Sequence, residues 1–158
     1  EEAVYLAQHG VPFEVVPGIT ASVGCTAAAG IPLTHREIAR SVRLVSGHRE
    51  YGKGQDLDWK CLADPHTTLA IYMGLRNARR IAGELMAGGL PGATPAAAIH
   101  KGTTPDQRSV VTTLDDLADC LEREGFGPPT LLVIGAVVNL TTVLGLGAKK
   151  METTPKVS

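Results

Sequence analysis

The 158 residues carry a formal net charge of −1, with 44% hydrophobic but only 4% aromatic side chains. Near-neutrality argues against a basic nucleic-acid or membrane-surface face, and no apolar run is long enough to span a bilayer. The length suits one domain with a real core, and the 18 glycines favour closely packed α/β layers over an aromatic-rich sandwich.

Residues 1–10 begin in helical register with no initiator Met and no cap before them, and the helix is stopped by Gly10. The expectation is the end of a helix linking to a preceding N-terminal domain, followed by one α/β domain over residues 11–145 and a disordered tail over 146–158. Val11 to Pro17 is predicted to be a short strand. Pro17-Gly18 then turns the chain, and Thr20 stands where an N-cap belongs, ahead of the small-residue helix Ala21 to Gly30. Such a junction exposes unpaired N–H groups at a concave edge, although on local sequence alone it is an ordinary strand–helix connection.

Beyond the polar stretch Leu33 to Glu37, Ser41 to Ser46 is predicted as a strand leading into Gly47-His48. Arg49 to Asp58 reads as an exposed loop, with Asp58 capping a short helix through Trp59, Cys61 and Leu62. Thr67 to Met73 is apolar on both faces, which predicts a central, parallel strand closed by Gly74. A helix over Leu75 to Gly88 has Ile81, Leu85 and Met86 on one side and Arg76, Arg79 and Arg80 on the other. Thr94 to His100 and Ser109 to Thr112 predict two further strands in an antiparallel excursion, and Thr113 is positioned to cap a helix over Leu114 to Glu124. Thr130 to Ile134 is the last strand, ending at Gly135. The fold class is therefore α/β: a mixed, mostly parallel sheet of about five strands flanked by helices. Glycines at three strand ends, Gly18, Gly74 and Gly135, are candidate walls of one crevice, since open α/β sheets bind ligands at the carboxyl ends of their strands.

No dinucleotide-binding glycine fingerprint, phosphate-binding loop, His-Glu-x-x-His or Cys-x-x-Cys motif is present, and His35, His48 and His100 are scattered, so no metal site is expected. Cys25, Cys61 and Cys120 are widely spaced and read as reduced thiols of a cytoplasmic protein. Met73 ends a buried strand, which makes it ordinary core filler or a soft floor for a flat ligand. Lys101, Arg108 and Arg36 lie beside turns. There they are solvated charges, or partners for carboxylates if the turns flank a crevice.

The segments V-V-P-G-I-T-A-S, G-I-P-L-T-H-R, V-R-L-V-S-G-H, I-Y-M-G-L, H-K-G-T-T-P-D-Q-R and L-L-V-I-G-A-V-V occur in the order and approximate spacing of the tetrapyrrole methylases. The chain resembles that family from residue 1 to about Leu144. The resemblance implies a C-terminal domain of the family's fold. It also implies S-adenosyl-L-methionine (SAM) as cofactor, S-adenosyl-L-homocysteine (SAH) as its product, and methylation of tetrapyrrole ring carbons. G-I-P-L-T-H-R with Y-M-G-L is most similar to members that convert uroporphyrinogen III to precorrin-2 on the way to sirohaem or cobalamin. Members acting on later corrin intermediates, and a ligand-free dimerisation module, are the alternatives. By the same resemblance Thr20, Ala21, Met73, Gly102 and Gly135 would contact the cofactor. Given that substrate, His35, Arg36 and Arg108 are inferred to face the tetrapyrrole, whose acetate and propionate groups need cationic partners. The family's N-terminal motifs (a glycine- and proline-rich loop, Tyr-Asp, Gly-Lys-Arg and Gly-Gly-Asp-Pro) have no counterpart among these residues. No catalytic residue is therefore expected here, activity of this stretch alone is expected to be slight, and a homodimer is the expected assembly.

Overall fold

The computed structural model describes residues 1–48 and 57–144. In chain order the elements are α1 (Glu2–Gln8), α2 (Ala21–Ala28), β1 (Ser41–Ser46), α3 (Trp59–Leu62), β2 (Thr67–Tyr72), α4 (Ala78–Ala87), β3 (Pro95–His100), β4 (Arg108–Thr113), α5 (Leu117–Arg123), β5 (Thr130–Ile134) and α6 (Leu140–Leu144). Short 3-10 turns at Leu75–Asn77 and Ala136–Asn139 lead into α4 and α6. The expected loop over Arg49 to Asp58 and tail over 146–158 fall largely or wholly outside the described residues.

The strands form one sheet in the order β1-β2-β5-β3-β4. The runs that read as apolar on both faces take its interior: every residue of β5 is buried, as are all of β2 but Tyr72 and the middle four of β3. Strict alternation then divides the core. Leu69, Ile71, Ala96, Ala98, Leu132 and Ile134 face α3, α4 and α5. Ala97, Ile99, Leu131 and Val133 face α2 and the turn carrying Val137 and Val138. Helix α4 presents Ile81, Ala82 and Leu85 to the first of these layers, as its helical spacing requires.

A five-stranded mixed sheet flanked by helices is what the sequence predicts, but its parallel majority is not observed. Only β1 and β2 pair in parallel; β2·β5, β5·β3 and β3·β4 are antiparallel. The last strand enters the middle of the sheet running against both neighbours. An interior strand is apolar on both faces whichever way its neighbours run, so composition could not report this reversal.

Two local expectations also change. Residues 11–17 form no strand: Val15 and Val16 are 75% and 80% exposed, and β-prone side chains make a strand only where a neighbour supplies a ladder. Thr113 belongs to β4, and its hydroxyl donates to the Asp115 carboxylate, so α5 starts later than expected, after Asp116. Asp58, as expected, caps α3, accepting from the Cys61 N–H at 2.9 Å.

Candidate functional site

The tips of β2 and β3 and the start of β5 lie at one edge of the sheet, because β5 runs opposite to the other two. Over this edge sits the N-terminus of α2. Between them is a cavity of about 590 Å³, lined by Ala21 and Cys25 of α2, Tyr72 and Met73 of the β2 tip, Lys101 and Gly102 after β3, and Thr130 and Leu131 of β5. Its volume is in the range of cofactor and small-molecule sites, and its wall is mainly apolar, with a few polar groups at the rim.

The backbone around the cavity is unusual. Met73 (φ 53°), Lys101 (φ 46°) and Thr103 (φ 65°) are the non-glycine residues with positive φ among the described residues, and all three stand at or beside this cavity. Left-handed backbone at residues with a Cβ costs free energy that surrounding structure must impose. Here the imposing contacts are visible: Lys101 N–H donates to Pro129 O at 3.1 Å, Thr103 N–H to Gln107 Oε1 at 2.6 Å, and Thr104 Oγ1 to Lys101 O at 2.8 Å. Met73 is left 63% exposed, a soft side chain standing out at the cavity edge and excluded from the core.

Gly102 is there for close packing. A Cβ on it would fall 2.2 Å from Cys25 Sγ and 2.7 Å from Cys25 Cβ, so only glycine lets this turn approach α2. Burial pushes the Cys25 thiol above its ordinary range, which keeps it protonated at neutral pH.

The N-terminus of α2 is held by a tyrosine. Thr20 has the extended backbone of an N-cap but makes no side-chain cap bond of its own. Its hydroxyl instead meets Tyr72 Oη at 2.5 Å, and the Ser22 N–H donates to the same oxygen at 2.7 Å. Burial opposes ionisation of this phenol, but the hydrogen bonds from Ser22 and Thr20 outweigh it and bring its titration below the usual 10.0.

Of the residues expected at a cofactor site, Ala21, Met73 and Gly102 are brought together from three separate segments, with Thr20 beside them through Tyr72. Gly135 is not with them. Its N–H donates to Pro95 O at 2.9 Å at the opposite edge of the sheet, where it lines a separate hollow with Thr67 and Pro91. The expectation that strand-end glycines share one crevice fails for Gly135 because β5 is reversed, and for Gly18 because no strand precedes it.

The expected tetrapyrrole-facing residues are not gathered at the cavity either. His35 bridges Ala39, and Arg40 N–H donates to His66 O, which fixes this segment at the edge where β1 and β2 begin. Arg36 is exposed in the same turn. The Arg108 guanidinium lies 5.0 Å over the Phe126 ring and reaches the Glu124 and Gly125 carbonyls at 3.3 and 3.4 Å. There it complements the C-terminus of α5, on the face away from α2. Sequence reasoning did not single out Tyr72 or Arg76 as site residues, and both line the cavity together with His48. A signal existed for Tyr72: a tyrosine ending a buried strand needs a partner for its hydroxyl.

No helix among the described residues is long and apolar enough to cross a membrane. The chain is 47% identical over 153 residues to siroheme synthase of Methylococcus capsulatus, covering 97% of this chain and 32% of that protein. It is also 47% identical to uroporphyrinogen-III C-methyltransferase of Bacillus subtilis, covering 88% and 54%. The chain thus spans about a third to a half of these relatives' lengths. The crystal structure of uroporphyrin-III C-methyl transferase from Thermus thermophilus complexed with S-adenyl homocysteine superposes with a TM-score of 0.70 at 36% identity, covering 88% of this chain and 59% of that one. The family model for tetrapyrrole (corrin/porphyrin) methylases matches residues 1–118, three quarters of the sequence, and with the shared fold it places the chain in that family.

Proposed function

We propose that the cavity at the β2–β3–β5 edge is part of a SAM site, and that the protein to which this chain belongs is a cytoplasmic enzyme methylating uroporphyrinogen III to precorrin-2. The observation that carries this reading is the convergence of Ala21, Met73 and Gly102 on one cavity, in a chain related to a methyltransferase crystallised with the demethylated cofactor. The residues fit the group. Met73, Ile99 and Leu131 offer an adaptable apolar surface for a flat purine, and the start of α2 and the left-handed turn at Lys101 offer backbone polar groups for ribose and amino-acid atoms. When bound, SAM supplies an electrophilic methyl on a sulfonium, ready for in-line attack by an electron-rich pyrrole carbon.

What this chain contributes is orientation. The turn at Gly102, pressed against Cys25, fixes the spacing between the β3 tip and α2, and holding a donor within attack distance accounts for much of such a rate enhancement. Lys101, paired with Asp106 at 3.3 Å, and Arg76 give the rim a cationic character suited to carboxylates. No acid or base is assigned to these residues. The longer relatives carry further segments, and in this reading the chain alone has little or no activity. A homodimer belongs to the same proposal. Residues 1–20 bury no side chain and expose Val11, Phe13, Val15, Val16 and Ile19, an apolar strip that an assembly would cover.

Calorimetry with SAH tests the site, first on this chain and then on a version extended at its N-terminus with the corresponding segment of the Bacillus subtilis relative. Binding that tightens on extension supports the proposal, and absence of binding in both overturns it. Turnover of uroporphyrinogen III by the extended protein tests the substrate; preference for a later corrin intermediate moves the assignment within the family. Light scattering reads the oligomeric state.

A further inference from the structure

One phenol joins the two walls of the cavity. Tyr72 is the last residue of β2, directly before Met73 with its left-handed backbone, and Ala21 on the opposing wall lies between the two residues that Tyr72 grips, Thr20 and Ser22. In the first turn of α2 the Val23 and Gly24 N–H groups both donate to Thr20 O at 3.0 Å. The Ser22 N–H is taken by the phenol. The Ala21 N–H alone in that turn has no partner among the described residues, and Ala21 lines the cavity.

We propose that Tyr72 is a positioning residue of the methyl-donor site. Its hydroxyl locks the N-terminus of α2 onto the tip of β2 and leaves the Ala21 N–H as the single first-turn backbone donor available to the ligand. This rests on the SAM reading above and adds a residue and a role to it. The hydroxyl does what an N-cap side chain does for its own helix, but from another element, so capping and wall spacing become one interaction. Because Thr20 spends its hydroxyl on Tyr72, neither group can be removed without loosening both walls. The ionisable groups around the phenol are Cys25 on α2, His48 beyond β1, Arg76 after β2 and Lys101 after β3. None of them is hydrogen-bonded to its oxygen.

The test is SAH calorimetry on this chain, and on the extended version if the chain alone binds too weakly to measure, comparing wild type, Y72F and T20V. Hydrogen exchange at the Ser22 amide and the ultraviolet titration of the tyrosines accompany it. The expected result is binding about tenfold weaker in Y72F and a few-fold weaker in T20V, with faster Ser22 exchange in both. A phenol titrating below 10.0 in wild type should be absent from Y72F and should shift when SAH is added. That last readout separates a ligand-positioning role from a merely structural one, which would leave the titration indifferent to SAH. T20V carries the comparison should Y72F fail to fold. Wild-type affinity retained in both variants overturns the positioning role while the SAM site stands. Absence of SAH binding in wild type, alone and extended, overturns the SAM site and this role together.

Discussion

Gly102→Ala is the sharpest test of how the cavity is built. An added methyl would lie 2.2 Å from Cys25 Sγ, 2.7 Å from Cys25 Cβ and 3.3 Å from Cys25 Cα, against about 3.5–4.0 Å for a relaxed carbon contact. Rotating the thiol removes the first overlap but not the second, so either α2 or the turn after β3 must retreat by about 1 Å. Such overpacking costs about 1–3 kcal/mol of stability and opens the cavity between Ala21 and Gly102. Graded relief should follow at the partner position. C25A/G102A keeps the 2.7 Å contact and recovers little, whereas C25G/G102A removes it and recovers most of the overpacking, less about 1 kcal/mol for a glycine inside a helix. Urea unfolding followed by Trp59 fluorescence and circular dichroism measures the cycle, in which a favourable coupling of about 1–2 kcal/mol is expected. SAH affinity should fall in G102A and return in C25G/G102A. Simple additivity of the two single substitutions would refute the claim that this glycine exists for the approach of α2.

Acid should loosen the start of β2. The Asp64 carboxylate accepts from the His66 N–H at 2.9 Å and from the Thr67 hydroxyl at 2.7 Å, and these bonds hold it below its usual 3.8. A carboxyl lowered by folding stabilises the native state above its unfolded value, and that contribution disappears as pH falls through the native one. Thermal melts from pH 5 to pH 2 should therefore drop more steeply for wild type than for D64N, with the two converging at the acid end. Met73→Gly relieves the positive φ at little cost in burial, so it should leave the fold as stable or up to about 1 kcal/mol more stable while weakening SAH binding several-fold. A parallel loss of stability would show that Met73 is core. Arg108→Ala should lower the melting temperature through the lost Phe126 and α5 contacts yet leave SAH affinity unchanged. An affinity loss there would return Arg108 to the site.

Much of the architecture could be read from the residues because burial and periodicity speak directly. Thr67 to Tyr72 and Thr130 to Ile134 are interior strands because they are apolar on both faces, and Ile81 and Leu85 mark the inner side of α4. Strand direction and pairing left no such trace, since one short apolar run serves either orientation. The misreading of Val11 to Pro17 has a different origin. Its β-branched residues favour extended backbone, which residues 11–17 can adopt, but a strand also needs a neighbour, and neighbours are a property of the whole fold. At the site, Met73 and Gly102 were found through family motifs; nothing local shows that Gly102 packs against Cys25, 77 positions away in sequence, so closely that a Cβ on it would collide.

The reversed β5 also explains which motif residues can share a ligand. For a parallel sheet, sites gather at the carboxyl ends of the strands, a rule that selects Met73 after β2, the turn after β3, and Gly135 after β5. Reversal of β5 exchanges its two ends. Pro128, Pro129 and Thr130, which open the strand, arrive beside Met73 and Gly102, while Gly135 is carried across the sheet to the Thr67 edge. Gly135 then has a purely architectural reason to be glycine: φ is +141°, and a Cβ would sit 3.3 Å from the Thr67 carbonyl oxygen. A cavity made from two strand exits and one strand entrance receives backbone carbonyls and N–H groups in mixed orientation. The ligand that suits it therefore presents both donors and acceptors to the protein, as a nucleoside does, and a simple anion at a helix terminus would use only part of what these tips offer.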